Sequence, residues 1–179
     1  MASDEQITLY HCPNTRSSGS LLLLEELGVP YSLHVMNMKA GEQREPAYLG
    51  INPMGKVPAI RHGEAVITEQ VAIFIYLADL FPEAGLAPAL NDPLRGPYLR
   101  WLVYYAANFE PALVDRAMKR EPAPAAMSPY GDYDSMLKNA GDSALEGAVS
   151  AWRTLYRRRR SLGLRFNLDD YVQTRAGTA

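Results

Sequence analysis

Apolar and polar positions alternate over Ile7-Thr8-Leu9-Tyr10, a β-rich run that predicts a first strand. A polar loop follows, His11-Cys12-Pro13-Asn14-Thr15-Arg16-Ser17-Ser18-Gly19. The pattern then becomes helical from Ser20 to Leu27 and stops at Gly28. After Val29-Pro30, Tyr31 to Met36 alternates again and predicts a second strand. Strand, helix and strand in so short a span form a βαβ unit with a right-handed crossover. Met38 to Leu49 is polar, holds Gly41 and Pro46, and reads as a loop with a short helical turn. Asn52-Pro53 opens a turn, and Gly55 supplies backbone freedom. Val57-Pro58 enters the apolar pair Ala59-Ile60, His62-Gly63 makes a hairpin turn, and Ala65–Thr68 is the returning strand. Glu69-Gln70 opens an apolar helix. A proline at the mouth of a strand cannot donate to the ladder, so it belongs at an edge or a strand start. X-Pro is also the commonest place for a cis peptide. The N–H and C=O of Val57 are then turned outward, where an extended peptide can pair with them.

The second half reads differently. Phe81 to Pro93 is rich in Pro, Gly and Ala and predicts a linker over 83–93, after a first domain at 1–82. From Leu94 to Arg120, Leu99, Leu102, Val103, Ala106, Phe109 and Leu113 recur at helical spacing, with a kink or break at Pro111. Residues 121–129 carry three prolines and form a loop. Tyr133 to Ala151 predicts a further helix that Gly141 and Gly147 weaken. Trp152 to Arg160 is a basic run of the kind that forms a solvated face.

Composition narrows the class. A chain of 179 residues, 47% of them hydrophobic, suits one large domain or two small packed ones. A net charge of −2 gives no electrostatic drive toward nucleic acid or a membrane surface. No run approaches the roughly 18 apolar residues of a membrane-spanning helix. The first residues, Met1 to Gln6, lack the apolar core of a signal peptide, which points to the cytoplasm. Cys12 is the only cysteine, so there is no internal disulfide and no cysteine zinc cluster, and three scattered histidines offer no metal spacing.

The runs Asn52-Pro53-Met54-Gly55-Lys56-Val57-Pro58-Ala59-Ile60 and Thr68-Glu69-Gln70-Val71-Ala72-Ile73-Phe74-Ile75-Tyr76-Leu77 resemble the glutathione-binding half of the glutathione transferases. The resemblance implies an α/β plus all-α protein: a thioredoxin-like N-terminal domain of order β-α-β-α-β-β-α, then a shortened helical domain over 94–179, atypical after about 150. It implies a cis bond before Pro58, Val57 pairing with the cysteinyl part of glutathione, and Glu69 binding the γ-glutamyl amine. Gln70 stands where the family usually has serine, and its amide can still bond the γ-glutamyl carboxylate. Lys56 matches a residue that reaches the glycyl carboxylate, and it equally suits a solvated loop.

Arg16-Ser17-Ser18 resembles the Ser-Ser start of the bacterial serine-type transferases, with a zeta- and theta-like motif and Gly19 in place of the zeta cysteine. The resemblance makes Ser17 the catalytic donor to the thiol, Ser18 its alternate, and Arg16 a source of positive potential. The helix N-terminus would add its own. The same serines also suit an N-cap. Tyr10 belongs to core packing. Cys12-Pro13-Asn14-Thr15 resembles a one-cysteine redox motif, and Thr15 in the partner position excludes dithiol exchange within it. His34 and His62 suit the surface. Of the aromatic group Tyr98, Trp101, Tyr104, Tyr105 and Phe109, the pair Tyr105 and Phe109 is expected to line the second-substrate pocket.

The implied activity is conjugation of the glutathione thiolate to a small hydrophobic electrophile, a detoxification reaction, with glutathione as co-substrate and no metal. A homodimer is implied, with the Glu69–Asp79 helix facing the partner. The alternatives are a glutathione-dependent isomerase, a glutathione-binding or protein-interaction module without turnover, and a thiol–disulfide oxidoreductase through Cys12.

Overall fold

The computed structural model describes residues 6–120, 123–124, 126–128, 130–132 and 135–136. Ile7–His11 (β1) pairs in parallel with Tyr31–Val35 (β2) and antiparallel with Ala59–His62 (β3). Ala65–Thr68 (β4) pairs antiparallel with β3, giving the order β2-β1-β3-β4. Ser17–Leu27 (α1) links β1 to β2, and Gln70–Leu80 (α3) follows β4. Two 3₁₀ turns, Met38–Ala40 and Glu42–Arg44, and the short helix Pro46–Leu49 (α2) fill the connection to β3.

The period of two along β1 sorts its side chains. Ile7 and Leu9 face inward with Ile60 of β3, Leu24 of α1 and Ile73 and Leu77 of α3, and all six are buried. Each such side chain contributes about 1.5–3 kcal/mol relative to exposure. Tyr10 faces the other way and packs beside Met36, Tyr48 and Val57. His11 belongs to the Leu9 face and is buried too.

Two expectations shift. Helix α1 begins at Ser17, a turn before the apolar stripe. The reason is local: Thr15 Oγ1 accepts the Ser17 N–H at 3.2 Å, and the Thr15 carbonyl accepts the Ser18 N–H at 3.0 Å. Orphan donors of the first turn are thus satisfied early. His62, expected at the surface, is buried. Register with Ile7 turns it inward, and its Nδ1 lies 2.7 Å from Tyr76 Oη on α3. Tyr76→Phe removes that partner and is expected to cost about 1–2 kcal/mol in urea unfolding. His34 stays exposed and pairs with Glu42 at 2.6 Å.

The chain divides between Ala87 and Pro88. In the second unit, Arg95–Tyr104 (α4), a π-helical turn Tyr105–Phe109 and Glu110–Ala117 (α5) run on from one another. Pro111 lacks an N–H, and in an α-helix its ring would meet the Ala107 carbonyl. Widening the preceding turn resolves this, with Glu110 N–H bonding back to Tyr105. The expected helix end at Arg120 falls back to Ala117. Most of the helix expected over 133–151 and the basic run 152–160 lie outside the described residues. No helix among the described residues is long and apolar enough to cross a membrane.

Candidate functional site

Three loops meet at one end of the sheet because of its pairing. Tyr10 near the end of β1 lies opposite Ala59 at the start of β3, and Ala59 lies opposite Thr68 at the end of β4. The loop after β1, the loop before β3 and the start of α3 therefore emerge together.

The loop before β3 is clamped through one carbonyl. Asn52 is buried, and its Nδ2 donates to the Lys56 carbonyl at 2.8 Å. Tyr48 Oη donates to the same oxygen at 2.5 Å. Burial pushes the Tyr48 phenol up to about 12, so it stays a donor. Gly55 turns the loop with a φ of +60, and a Cβ there would sit 2.9 Å from the Gln43 carbonyl oxygen. Val57 follows, buried, and its bond to Pro58 is cis. Among the described residues, neither the N–H nor the C=O of Val57 has a hydrogen-bond partner. Pro58 is buried beside it and the Lys56 side chain is exposed.

At the start of α3, Glu69 adopts φ 65 and ψ 121, a conformation that costs a non-glycine residue about 1–3 kcal/mol. It is exposed, and among the described residues no hydrogen bond or ion pair holds its carboxylate. Gln70 Nε2 donates to the Arg16 carbonyl at 2.9 Å, which ties α3 to the loop after β1. A Cβ on Gly19 would lie 2.3 Å from that Nε2, so a side chain at 19 would displace the tie.

The loop after β1 is organised around Ser17. Its side chain is wholly buried. Oγ lies 2.8 Å from His11 Nδ1 and 2.7 Å from Thr15 Oγ1, accepts the Cys12 N–H at 3.0 Å and reaches the Cys12 carbonyl at 3.1 Å. These partners enclose the Ser17 hydroxyl, the first candidate from the sequence for facing a ligand thiol. Ser18 is half-buried, Arg16 is exposed, and half-buried Cys12 packs against the group holding Val57. Thr15, like Ser18, is half-buried at this helix start, and it is the one whose hydroxyl contacts Ser17. His11 and Thr15 are the residues that pattern reading passed over. The period of β1 puts His11 two positions beyond Leu9 on the inner face, and Thr15 precedes the first helical turn. In the second unit, Tyr105 and Phe109 are half-buried with ring centroids 6.4 Å apart. Among the described residues, no group of three His, Cys, Asp or Glu side chains could hold a metal ion.

Burial holds the His11 imidazole below its usual value of 6.5, against a smaller upward pull from its hydrogen bond with Ser17. As pH falls through 6.5 the unfolded chain takes up the proton first, so this contribution to stability is complete above that pH and declines below it. Urea unfolding of His11→Asn beside the wild type is expected to show a shallower acid loss, the difference staying under about 1.4 kcal/mol per pH unit.

A thioredoxin-like domain with a four-stranded mixed sheet, carrying its candidate site on the loops at one sheet end, is the class these features define. A family model described as glutathione S-transferase, N-terminal domain, matches residues 5–79. A glutathione S-transferase F10 of Arabidopsis thaliana is 32% identical over 111 residues, covering 60% of this chain and 51% of that relative. A zeta-class glutathione S-transferase of Euphorbia esula is 44% identical over 62 residues, 35% of this chain and 28% of that relative. A solved glutathione transferase homologue from Sulfitobacter, with bound glutathione, is 27% identical, covers 98% of this chain and 81% of its own, and has a TM-score of 0.55. The likeness to the glutathione S-transferases lies in residues 5–79, which match their N-terminal domain. It spans about half the length, or less, of the curated relatives it matches.

Proposed function

We propose that this protein is a glutathione transferase that holds glutathione extended along Val57 and directs its thiolate at a small hydrophobic electrophile. The observation that carries the reading is the open N–H and C=O pair of Val57, presented beside the loop after β1. An extended peptide pairs with such a backbone as an added strand would. Pro58 borders that edge, Lys56 reaches the glycyl carboxylate, and Glu69 receives the γ-glutamyl amine. Gln70 and Arg16 stand beside the γ-glutamyl group and the sulfur. The thiol donor in this reading is Thr15, with Ser17 behind it. Rate then comes from a stabilised thiolate and from proximity. Tyr105 and Phe109 are our candidates for apolar contact with the electrophile. We further propose a cytoplasmic homodimer acting in detoxification. The bound glutathione in the Sulfitobacter homologue supports the ligand assignment. Calorimetry with glutathione, followed by turnover on a panel of chloronitrobenzenes, epoxides and isothiocyanates, tests the reading. Micromolar to millimolar binding with conjugation is expected. Binding without any conjugation would leave a non-catalytic module, and no binding would remove the assignment.

A further inference from the structure

The groups at Ser17 form a chain of hydrogen bonds whose direction follows from whether His11 Nδ1 donates or accepts. A hydroxyl has one hydrogen to give and two lone pairs to fill. One lone pair of Ser17 Oγ takes the Cys12 N–H at 3.0 Å. When His11 donates from Nδ1 at 2.8 Å, the second is filled. The Ser17 hydrogen then goes to the nearer acceptor, Thr15 Oγ1 at 2.7 Å, over the Cys12 carbonyl at 3.1 Å. Thr15 Oγ1 already accepts the Ser17 N–H at 3.2 Å, so both its lone pairs are used and its hydrogen must be donated. In this structure that hydrogen goes to the Cys12 carbonyl at 2.7 Å. A ligand sulfur beside the loop competes for it. When His11 instead accepts at Nδ1, the Ser17 hydrogen goes to the ring, a lone pair of Ser17 Oγ opens toward Thr15, and Ser17 then competes with the Cys12 carbonyl and any ligand sulfur for the Thr15 hydrogen. The first arrangement is the better satisfied one. It makes three hydrogen bonds among His11, Ser17, Thr15 and the Cys12 carbonyl, where the second makes two.

We propose that His11, donating from Nδ1 through the buried Ser17 hydroxyl, is a positioning residue that keeps the Thr15 hydroxyl hydrogen available to the sulfur of bound glutathione. The inference rests on the glutathione reading above. No covalent step is added: the thiol proton leaves to water, and Thr15 stays an intact hydroxyl donating to the thiolate. His11 touches no ligand. Its effect reaches the sulfur through two hydroxyls, each polarised by the donor behind it.

The test is the thiol pKa of glutathione in the binary complex, followed by thiolate ultraviolet absorbance across pH, with glutathione affinity from calorimetry. Wild type, His11→Phe, His11→Asn, Ser17→Ala and the His11→Phe/Ser17→Ala double variant are compared. His11→Phe and Ser17→Ala each break the chain and are each expected to raise the bound thiol's pKa by about one unit, a tenfold loss of thiolate at fixed pH. The double variant should do no more than either alone, as in a series chain. His11→Asn keeps an amide donor where Nδ1 stood and should retain the wild-type value. Affinity should change by less than about threefold, since the thiol is a small part of the ligand. Unfolding curves for every variant identify any that fails to fold, and His11→Asn with Ser17→Ala then carries the comparison. Wild-type thiol pKa values in both Ser17→Ala and His11→Phe would overturn the inference while leaving the glutathione reading intact. So would a His11→Asn value equal to that of His11→Phe. If the wild-type protein neither binds glutathione nor lowers its thiol pKa, the reading itself falls and the relay with it.

Discussion

Thr15→Ala is expected to lower the thiolate fraction of bound glutathione tenfold to a hundredfold near neutral pH and to cut conjugation in proportion. A hydrogen bond to a charged acceptor contributes about 1.5–3 kcal/mol. Thr15 is half-buried and lies just before α1, an eleven-residue helix whose N-terminus adds favourable potential for an anion. Raising the pH should restore most of the Thr15→Ala rate, because the lesion lies in ionising the thiol and not in holding the tripeptide. Thr15→Ser keeps the hydroxyl and should remain active. Rate–pH profiles at saturating glutathione, read beside thiolate absorbance, make the check. An unchanged profile in Thr15→Ala would remove the residue from the chemistry.

The second large effect is at Glu69. Its carboxylate is exposed and unengaged among the described residues, on a backbone with φ 65. Strain of that kind persists where the surroundings impose it and where the position serves a site. Glu69→Ala should weaken glutathione binding by about tenfold to a hundredfold, the loss of one charge-assisted contact. Glu69→Gly should weaken it equally yet raise unfolding stability by about 1 kcal/mol, because glycine relieves the backbone. Opposite signs for stability and affinity in one variant would mark the residue as retained for binding. Calorimetry and urea unfolding on the same preparations measure both. Equal affinity in wild type and Glu69→Ala would take the γ-glutamyl contact away from this position.

Much of the first unit could be read from its pattern. Alternation identified β1 and β2, and the apolar run after Glu69-Gln70 identified α3, because strands and helices that bury one face must repeat at period 2 or 3.6. Errors came where a neighbour in space, not in sequence, decides. The hairpin turn suggested a surface His62, yet pairing with Ile7 turns it inward to Tyr76. β1 also runs one residue further than its alternation implied. That extension brings His11 onto the inner face and Ser17 under it. Nothing in the spacing of Asn14-Thr15-Arg16-Ser17 tells which hydroxyl ends up enclosed. In the second unit Pro111 announced an irregularity, but whether the helix breaks, kinks or widens depends on which carbonyls must be cleared.

The central claim is that the backbone of Val57 takes an extended glutathione as a sheet edge takes a strand. The most direct measurement is hydrogen exchange of the Val57 amide, followed by ¹⁵N–¹H spectra with and without glutathione. In the free protein this amide should exchange as an unprotected one, for it has no partner among the described residues. Saturating glutathione should shift it and slow its exchange at least about tenfold, while Leu9 and Ile60 in the core stay unchanged. Exchange at Val57 that is indifferent to glutathione, with shifts gathered elsewhere in the spectrum, would contradict the account.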